Sequence, residues 1–128
     1  FSEVKKDEID LPDIVHSEFV DLLRVIYPEQ AKITGKNIEH LLKLADRFEC
    51  VAVLRKCAKY LLKTDKIHMS RKLLYAQKYQ MAEVMELCLA DLTTRMALIA
   101  LSQCADVEHY EAPLLQILFK KLADTTKK

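Results

Sequence analysis

The feature that most constrains the fold is an apolar pattern that occurs twice in the chain, 31 residues apart. Neither copy contains glycine or proline. A period of this length without helix breakers is typical of stacked helix pairs that bury their apolar faces on each other. The matched positions are Leu42/Leu73, Leu44/Tyr75, Ala45/Ala76, Asp46/Gln77, Phe48/Tyr79, Val53/Val84, Leu54/Met85, Cys57/Cys88 and Leu61/Leu92. The pattern predicts a helical scaffold.

Size and composition agree with this prediction. The chain has 128 residues, one glycine, three prolines and 51% hydrophobic residues, which predicts a single compact helical domain with its own core. Twenty basic and nineteen acidic residues are interspersed along the chain and form no long basic stretch, so we expect no nucleic-acid partner. We expect the short basic C-terminal stretch to be solvated surface; it contains Lys120, Lys121, Lys127 and Lys128.

The cysteines and histidines predict neither a disulfide framework nor a metal site. Cys57 and Cys88 occupy apolar positions of the repeat, which is typical of buried free thiols in a reducing cytoplasm or nucleus. The sequence has no C-x-x-C or H-x-x-x-H pair, so we expect no metal and no cofactor. No apolar run approaches the roughly 18 to 20 residues of a membrane span, so we expect no membrane partner.

The periodicity predicts a mostly α fold of six to seven helices in antiparallel pairs, with at most one short strand at 8–11. A first helix should end near Tyr27, because Pro28 follows it. Thr34 is expected to cap a second helix that runs to about Phe48, with Ile33 packing against Ile38. The expected buried face of this helix is Ile38, Leu41, Leu42, Ala45 and Phe48.

Further helices are expected along the rest of the chain. A third helix carries the apolar set Leu54, Cys57, Ala58, Leu61 and Leu62, and completes the first pair. The second pair should cover about 69–79 and 82–93, followed by a short helix at 96–101 and a last one that starts near Pro113.

The sequence carries no constellation typical of an active site. A single glycine, Gly35, rules out a glycine-rich phosphate loop, and there is neither a nucleophile elbow nor an H-E-x-x-H helix. Carboxylate pairs such as Asp7 and Glu8 lie in charged stretches typical of solvated surface. We therefore expect no enzymatic activity.

Residues 9–62 resemble the second half of a BTB domain, also called POZ. Four blocks carry the resemblance, namely I-D-L-P-D-I at 9–14, F-V-D-L-L-R-V-I-Y-P at 19–28, I-T-G-K-N-I-E-H-L-L-K-L-A-D-R-F at 33–48 and V-L-R-K-C-A-K-Y-L at 53–61. The second repeat is similar to the 3-box or BACK helix pair that follows the BTB domain in cullin-3 adaptors such as the MATH-BTB proteins. The resemblance implies a BTB half at 1–64 and a 3-box/BACK-like extension at 65–128.

The resemblance also implies a partner and its contact residues. Cullin-3 adaptors carry an apolar-x-Glu motif ahead of this part of the domain, which Phe1, Ser2 and Glu3 match. Physically, the aromatic ring would enter a pocket of the cullin-3 N-terminal domain while the carboxylate accepts a charge-assisted hydrogen bond. Tyr27 and Tyr60 are further implied contacts, although Tyr60 is the stronger candidate for core packing.

Some features depart from the family pattern. Pro28-Glu29-Gln30 replaces the usual Thr-Gly, and the opening half of the BTB fold is missing, so the chain reads as a piece of a longer protein. A BTB homodimer is expected only where that first half is present. The leading hypothesis is a non-catalytic adaptor fragment for a cullin-3 ubiquitin ligase. The alternatives are a self-association module of a transcriptional or cytoskeletal regulator, and a helical solenoid with a peptide groove.

Overall fold

A computed structural model describes residue 18 and residues 32–126. Over this part of the chain it contains six α-helices, one 3-10 helix and no strand, which confirms the mostly α prediction. The helix expected to end at Tyr27 and the strand expected at 8–11 lie outside the described residues. The elements are α1 (Ile38–Arg47), α2 (Val51–Lys63), α3 (Met69–Lys78), α4 (Ala82–Asp91), α5 (Arg95–Ser102), the 3-10 helix η1 (Ala105–His109) and α6 (Ala112–Thr126).

The 31-residue repeat of the sequence is also a repeat of the backbone. The helices α3 and α4 begin 31 residues after α1 and α2, and the turns that join each pair have matching geometry. Glu49 and Gln80, at equivalent positions, have positive φ angles of 54° and 57°. The next amide in each turn donates back to the helix, from Cys50 to the Ala45 carbonyl at 2.7 Å and from Met81 to the Ala76 carbonyl at 2.9 Å. Both helices therefore end with the hydrogen bond of a Schellman motif.

The predicted N-cap of the helix at 38 is wrong by three residues. The N-cap is Asn37, which makes no capping bond with its own side chain. Thr34 instead closes the turn before the helix, where its hydroxyl accepts from the Asn37 amide at 3.3 Å and its amide donates to Asn37 Oδ1 at 2.8 Å. This reciprocal pair has the pattern of a capping box, displaced to the preceding turn because 35–37 form a turn and not the first helical residues.

The predicted buried face of α1 is correct in the helix and wrong at its end. Ile38, Leu41, Leu42 and Ala45 are buried as expected. Phe48 is 44% exposed, because it is the C-cap and its φ of −96° and ψ of 9° no longer follow the helix. Helical spacing does not set the direction of a side chain beyond the last turn. Leu44, absent from the predicted face, is 4% exposed.

The chain divides into two compact units, residues 1–57 and 58–128, with the division inside α2. In the first unit, His40 Nδ1 on α1 lies 3.8 Å from Glu18 Oε2, an ion pair when the imidazole is protonated. In the second unit, α3 packs against α4 and η1, and α5 packs against α6. The domain boundary expected between 64 and 65 stays a prediction.

Candidate partner-binding surface

The structure describes one of the five predicted contact residues. Tyr60 lies near the end of α2 and is half-buried. Phe1, Ser2, Glu3 and Tyr27 lie outside the described residues. The assignment of all five to a partner interface stays a prediction.

A polar cluster fixes η1 to the start of α3 in the second unit. Ser70, 3% exposed, donates through Oγ to Asp106 Oδ2 at 2.9 Å. The other carboxylate oxygen accepts from Arg71 Nε at 3.0 Å. The pKa of Arg71 is raised, first by its hydrogen bond with Tyr75 and further by the charge of Asp106, against the lowering effect of burial. Asp106 thus satisfies a buried hydroxyl and a guanidinium at once, which ties together residues 36 apart in the sequence.

His68 joins this cluster as the N-cap of α3. Its Nδ1 accepts from the Ser70 amide at 3.1 Å and lies 3.0 Å from Ser70 Oγ. Serine, histidine and aspartate therefore meet here, but not in the order of a catalytic triad. In a triad the histidine links the other two residues, whereas here the serine hydroxyl donates directly to the carboxylate and is buried. The arrangement caps a helix and holds η1.

A second set of bonds holds the start of α6 against α3. The Tyr110 hydroxyl donates to the Ser70 carbonyl at 2.7 Å, and burial is the main cause that raises the pKa of Tyr110. The side-chain amide of Gln77 donates to the His109 carbonyl at 3.1 Å and accepts from the Glu111 amide at 2.6 Å. These bonds set where α6 begins.

An apolar groove lies between α5, η1 and α6, with a volume of about 180 Å³. Seven of its eight lining residues are apolar, and the eighth, Ser102, donates its hydroxyl to the Ile99 carbonyl at 2.6 Å. Such a lining binds apolar side chains and offers no ligand to a metal or phosphate. The residues of this apolar groove are Leu98, Leu101, Ser102, Val107, Leu115, Leu118, Phe119 and Leu122.

One wall of the apolar groove reaches far into solvent. On α6, Phe119 is 71% exposed and Leu115 is 41% exposed. This groove is built from the three elements that follow the second helix pair, and sequence analysis assigned none of its residues to a partner surface. The sequence of α5 could have indicated an uncovered apolar surface. This helix reads R-M-A-L-I-A-L-S, with one charged residue and apolar residues on all its sides.

The described residues hold buried thiols and no metal cluster. Cys57 and Cys88 are free and buried, as the repeat predicted. Burial raises the pKa of Cys57 to about 12 and is the main cause that raises the pKa of Cys88, so both thiols are protonated at neutral pH. No three histidine, cysteine or acidic residues at 18 and 32–126 lie close enough to hold a metal ion. Over the same residues, no helix has the length and hydropathy of a membrane span.

Comparison with known protein families gives a match to the BTB/POZ domain over residues 1–65, about half of the chain. The chain belongs to the BTB/POZ domain family. This BTB/POZ chain is 37% identical over 124 residues to BTB and MATH domain-containing protein 36 of Caenorhabditis elegans, a match that covers 97% of the chain and 39% of that protein. BTB and MATH domain-containing protein 38 of the same organism is 34% identical over 127 residues, covering 99% of the chain and 30% of the relative.

A more distant relative matches only part of the BTB/POZ chain. Kelch-like protein 40 of Xenopus laevis is 33% identical over 61 residues, which is 48% of the chain and 10% of that protein. No solved structure matches the chain. The BTB/POZ chain thus spans less than two-fifths of the length of the curated relatives named above.

Proposed function

We propose that this chain is a non-catalytic substrate-adaptor fragment that binds the cullin-3 scaffold of a ubiquitin ligase. The observation that carries the proposal is the position of α3 and α4. The BTB/POZ match ends at residue 65, and α3–α4 follows it directly with the same turn geometry as α1–α2. The matches to the two BTB and MATH relatives span nearly the whole chain, so their similarity continues through these helices. A BTB domain followed by such a pair is the arrangement that the resemblance to cullin-3 adaptors implies.

The proposed contact has an apolar part and a charged part. The ring of Phe1 enters a pocket on the cullin-3 N-terminal domain, and the carboxylate of Glu3 accepts a charge-assisted hydrogen bond beside it. Ser2 carries the chain between them, and Tyr27 is the further contact that the resemblance implies. Tyr60 adds the exposed part of its ring, since it is half-buried in α2.

The chemistry of the described residues agrees with an adaptor role. The Ser70, His68 and Asp106 cluster caps a helix, and the apolar groove binds apolar side chains. Neither arrangement activates a nucleophile or a water molecule. We place the chain in the cytoplasm or nucleus, where the buried thiols stay reduced.

The proposal is tested by calorimetric titration of the chain with the isolated N-terminal domain of cullin-3. A circular dichroism spectrum first establishes that the sample is helical. Saturable binding that weakens in Phe1→Ala and Glu3→Ala supports the adaptor proposal and the assigned contact. No binding by the folded chain contradicts it and favours the self-association module.

A further inference from the structure

The helix α2 carries charge of one sign only. Its 13 residues include four cations and neither aspartate nor glutamate. The chain as a whole has 20 basic and 19 acidic residues, so the excess on α2 is local. The four cations are all exposed, and they are Arg55, Lys56, Lys59 and Lys63. A surface with this charge attracts negatively charged groups.

Three of these cations form a row on the exposed side of α2. Arg55, Lys59 and Lys63 stand four residues apart, which makes successive members neighbours on one face, about 6 Å apart along the axis. We call these three residues the cationic stripe. The stripe lies on one unbroken helix, so its spacing does not depend on how the two units are arranged. The opposite side of the helix is buried, through Val53, Cys57 and Leu61.

The cationic stripe is not neutralised within the described part of the chain. None of its three cations forms an ion pair with residue 18 or with a residue at 32–126. On α1, by contrast, Lys43 Nζ lies 3.9 Å from the carboxylate of Glu39, four residues earlier. Like charges at this spacing destabilise a helix, whereas opposite charges stabilise it. A partner that brings carboxylates to the stripe therefore removes a repulsion.

An exposed apolar residue stands at the head of the stripe. Val51 is the first residue of α2 and is 53% exposed. It precedes Arg55 by four residues, so it lies on the same side of the helix. Phe48, in the turn before α2, is 44% exposed. Along this side of the helix, an apolar contact is followed by three positive charges.

We propose that Val51 and the cationic stripe bind an acidic segment of a partner protein, in which one apolar residue precedes a series of carboxylates. In an extended chain, alternate residues lie on one side and repeat every 6.6 Å or so. Successive cations of the stripe are about 6 Å apart. Three carboxylates at alternate positions can therefore each accept a charge-assisted hydrogen bond from one cation, while the apolar residue packs on Val51.

Two observations favour an acidic peptide over a nucleic acid. The net charge of the chain is +1, which gives little general attraction to a long polyanion. The residue at the head of the stripe is aliphatic, and an aliphatic side chain offers contact to another apolar side chain. Proteins that bind single-stranded nucleic acid combine their cations with aromatic rings on which the bases stack, and the stripe contains none.

This surface is separate from the proposed cullin contact. Phe1, Glu3 and Tyr27 are not part of it. Tyr60 is on α2 but is half-buried and lies outside the row formed by the stripe. Failure of one proposal leaves the other standing.

The test is fluorescence anisotropy of the full 128-residue chain with a labelled synthetic peptide. The peptide has one leucine followed by three glutamates at alternate positions, with serines between them. We expect saturable binding with a Kd below about 1 mM at low salt, and weaker binding as salt is added. A matched peptide with glutamine in place of glutamate should not bind. A peptide with serine in place of leucine should bind several-fold more weakly.

Charge reversal on the chain locates the site. Lys59→Glu and Arg55→Glu should each weaken the affinity for the glutamate peptide by at least roughly fivefold, because each replaces an attraction by a repulsion. Lys120→Glu on α6 is the matched control, since Lys120 is also exposed but lies on another helix. It should leave the affinity unchanged. Circular dichroism should show that all three variants remain helical.

Several outcomes overturn the proposal. One is a folded chain that fails to bind the glutamate peptide at concentrations up to about 1 mM. Another is binding that tolerates both Lys59→Glu and Arg55→Glu, since the peptide then uses a different surface. Tighter binding of a labelled oligothymidine with the same number of charges replaces the peptide by a nucleic acid. Displacement of the peptide by the cullin-3 N-terminal domain assigns the stripe to the cullin contact and overturns a separate partner.

Discussion

The hydroxyl of Tyr110 donates a hydrogen bond of 2.7 Å to the backbone carbonyl of Ser70. Tyr110 follows η1 and precedes α6, while Ser70 is in the first turn of α3. Both residues are buried, at 6% and 3% exposure. One side-chain bond therefore anchors the start of α6 to a helix 40 residues earlier in the sequence.

Removing that hydroxyl should destabilise the fold. We expect Tyr110→Phe to lower the free energy of unfolding by about 1 to 2 kcal/mol, because a buried bond is lost while the ring packing is kept. Urea denaturation monitored by circular dichroism measures the change. Tyr60→Phe serves as the control, since the half-buried Tyr60 should lose less than roughly 0.5 kcal/mol. Equal losses in the two variants would contradict the role given to Tyr110.

Asp106 should be one of the most sensitive polar residues of the second unit. Asp106→Ala leaves the buried Ser70 hydroxyl and the Arg71 guanidinium without their carboxylate, so we expect a loss of about 2 to 3 kcal/mol. A double-mutant cycle with Ser70→Ala should give a coupling energy of about 1 kcal/mol or more. Strictly additive losses would mean that the two residues act independently.

The turns after α1 and α3 should be improved by glycine. Glu49 and Gln80 have positive φ angles, a conformation that costs a non-glycine residue roughly 1 to 2 kcal/mol. Glu49→Gly and Gln80→Gly should each raise the free energy of unfolding by up to about 1 kcal/mol, after the entropy cost of glycine. Lys59→Gly, inside α2, is the control and should lose about 1 kcal/mol. Thermal unfolding would refute the turn assignment if all three variants lost stability alike.

The stability of the chain should fall in alkali through Cys57. Burial raises the pKa of this thiol from 9.0 to about 12, so the folded state keeps its proton where the unfolded state has lost it. The protonated Cys57 thiol makes its full contribution to the free energy of unfolding below pH 9. This contribution is lost as the pH rises toward 12, because the unfolded state then binds fewer protons than the folded state. Denaturation curves at increasing pH measure this slope. A Cys57→Ala variant should show a shallower fall, and an identical slope would assign the effect to other groups.

The proposed cullin contact should depend on the carboxylate of Glu3 and not on an exposed carboxylate elsewhere in the chain. Glu3→Ala should weaken binding to the cullin-3 N-terminal domain by roughly 1.5 to 3 kcal/mol and leave the thermal midpoint nearly unchanged. The exposed Glu83 on α4 provides the matched control, and Glu83→Ala should leave the affinity unchanged. If Glu3→Ala bound as tightly as the unaltered chain, Glu3 would have no place in the interface.

The sequence predicted the regular helices, but it did not predict the places where the chain departs from helix geometry. The repeat predicted the four helices α1 to α4 and the buried positions Val53, Val84 and Cys88, because helical spacing alone places these residues on one side of a helix. It did not predict the turn formed by Thr34 or the exposure of Phe48, since both lie where the chain leaves helix geometry. The 3-10 helix η1 was missed because five residues are too few to show a period.

The sequence by itself determined the fold class and the positions of the helices α1 to α4, and four blocks of residues carried the resemblance to the BTB/POZ family. The helix positions depend on spacing within one or two elements, which a linear pattern records. The tertiary structure alone decided which residues meet across 36 to 40 positions, as Asp106 and Tyr110 do with Ser70. It also decided that Leu115 and Phe119 on α6 are exposed, although Val84 and Cys88, which stand 31 residues earlier on α4, are buried. Burial depends on which element packs on a face, and that neighbour is not encoded in the periodicity of the face itself.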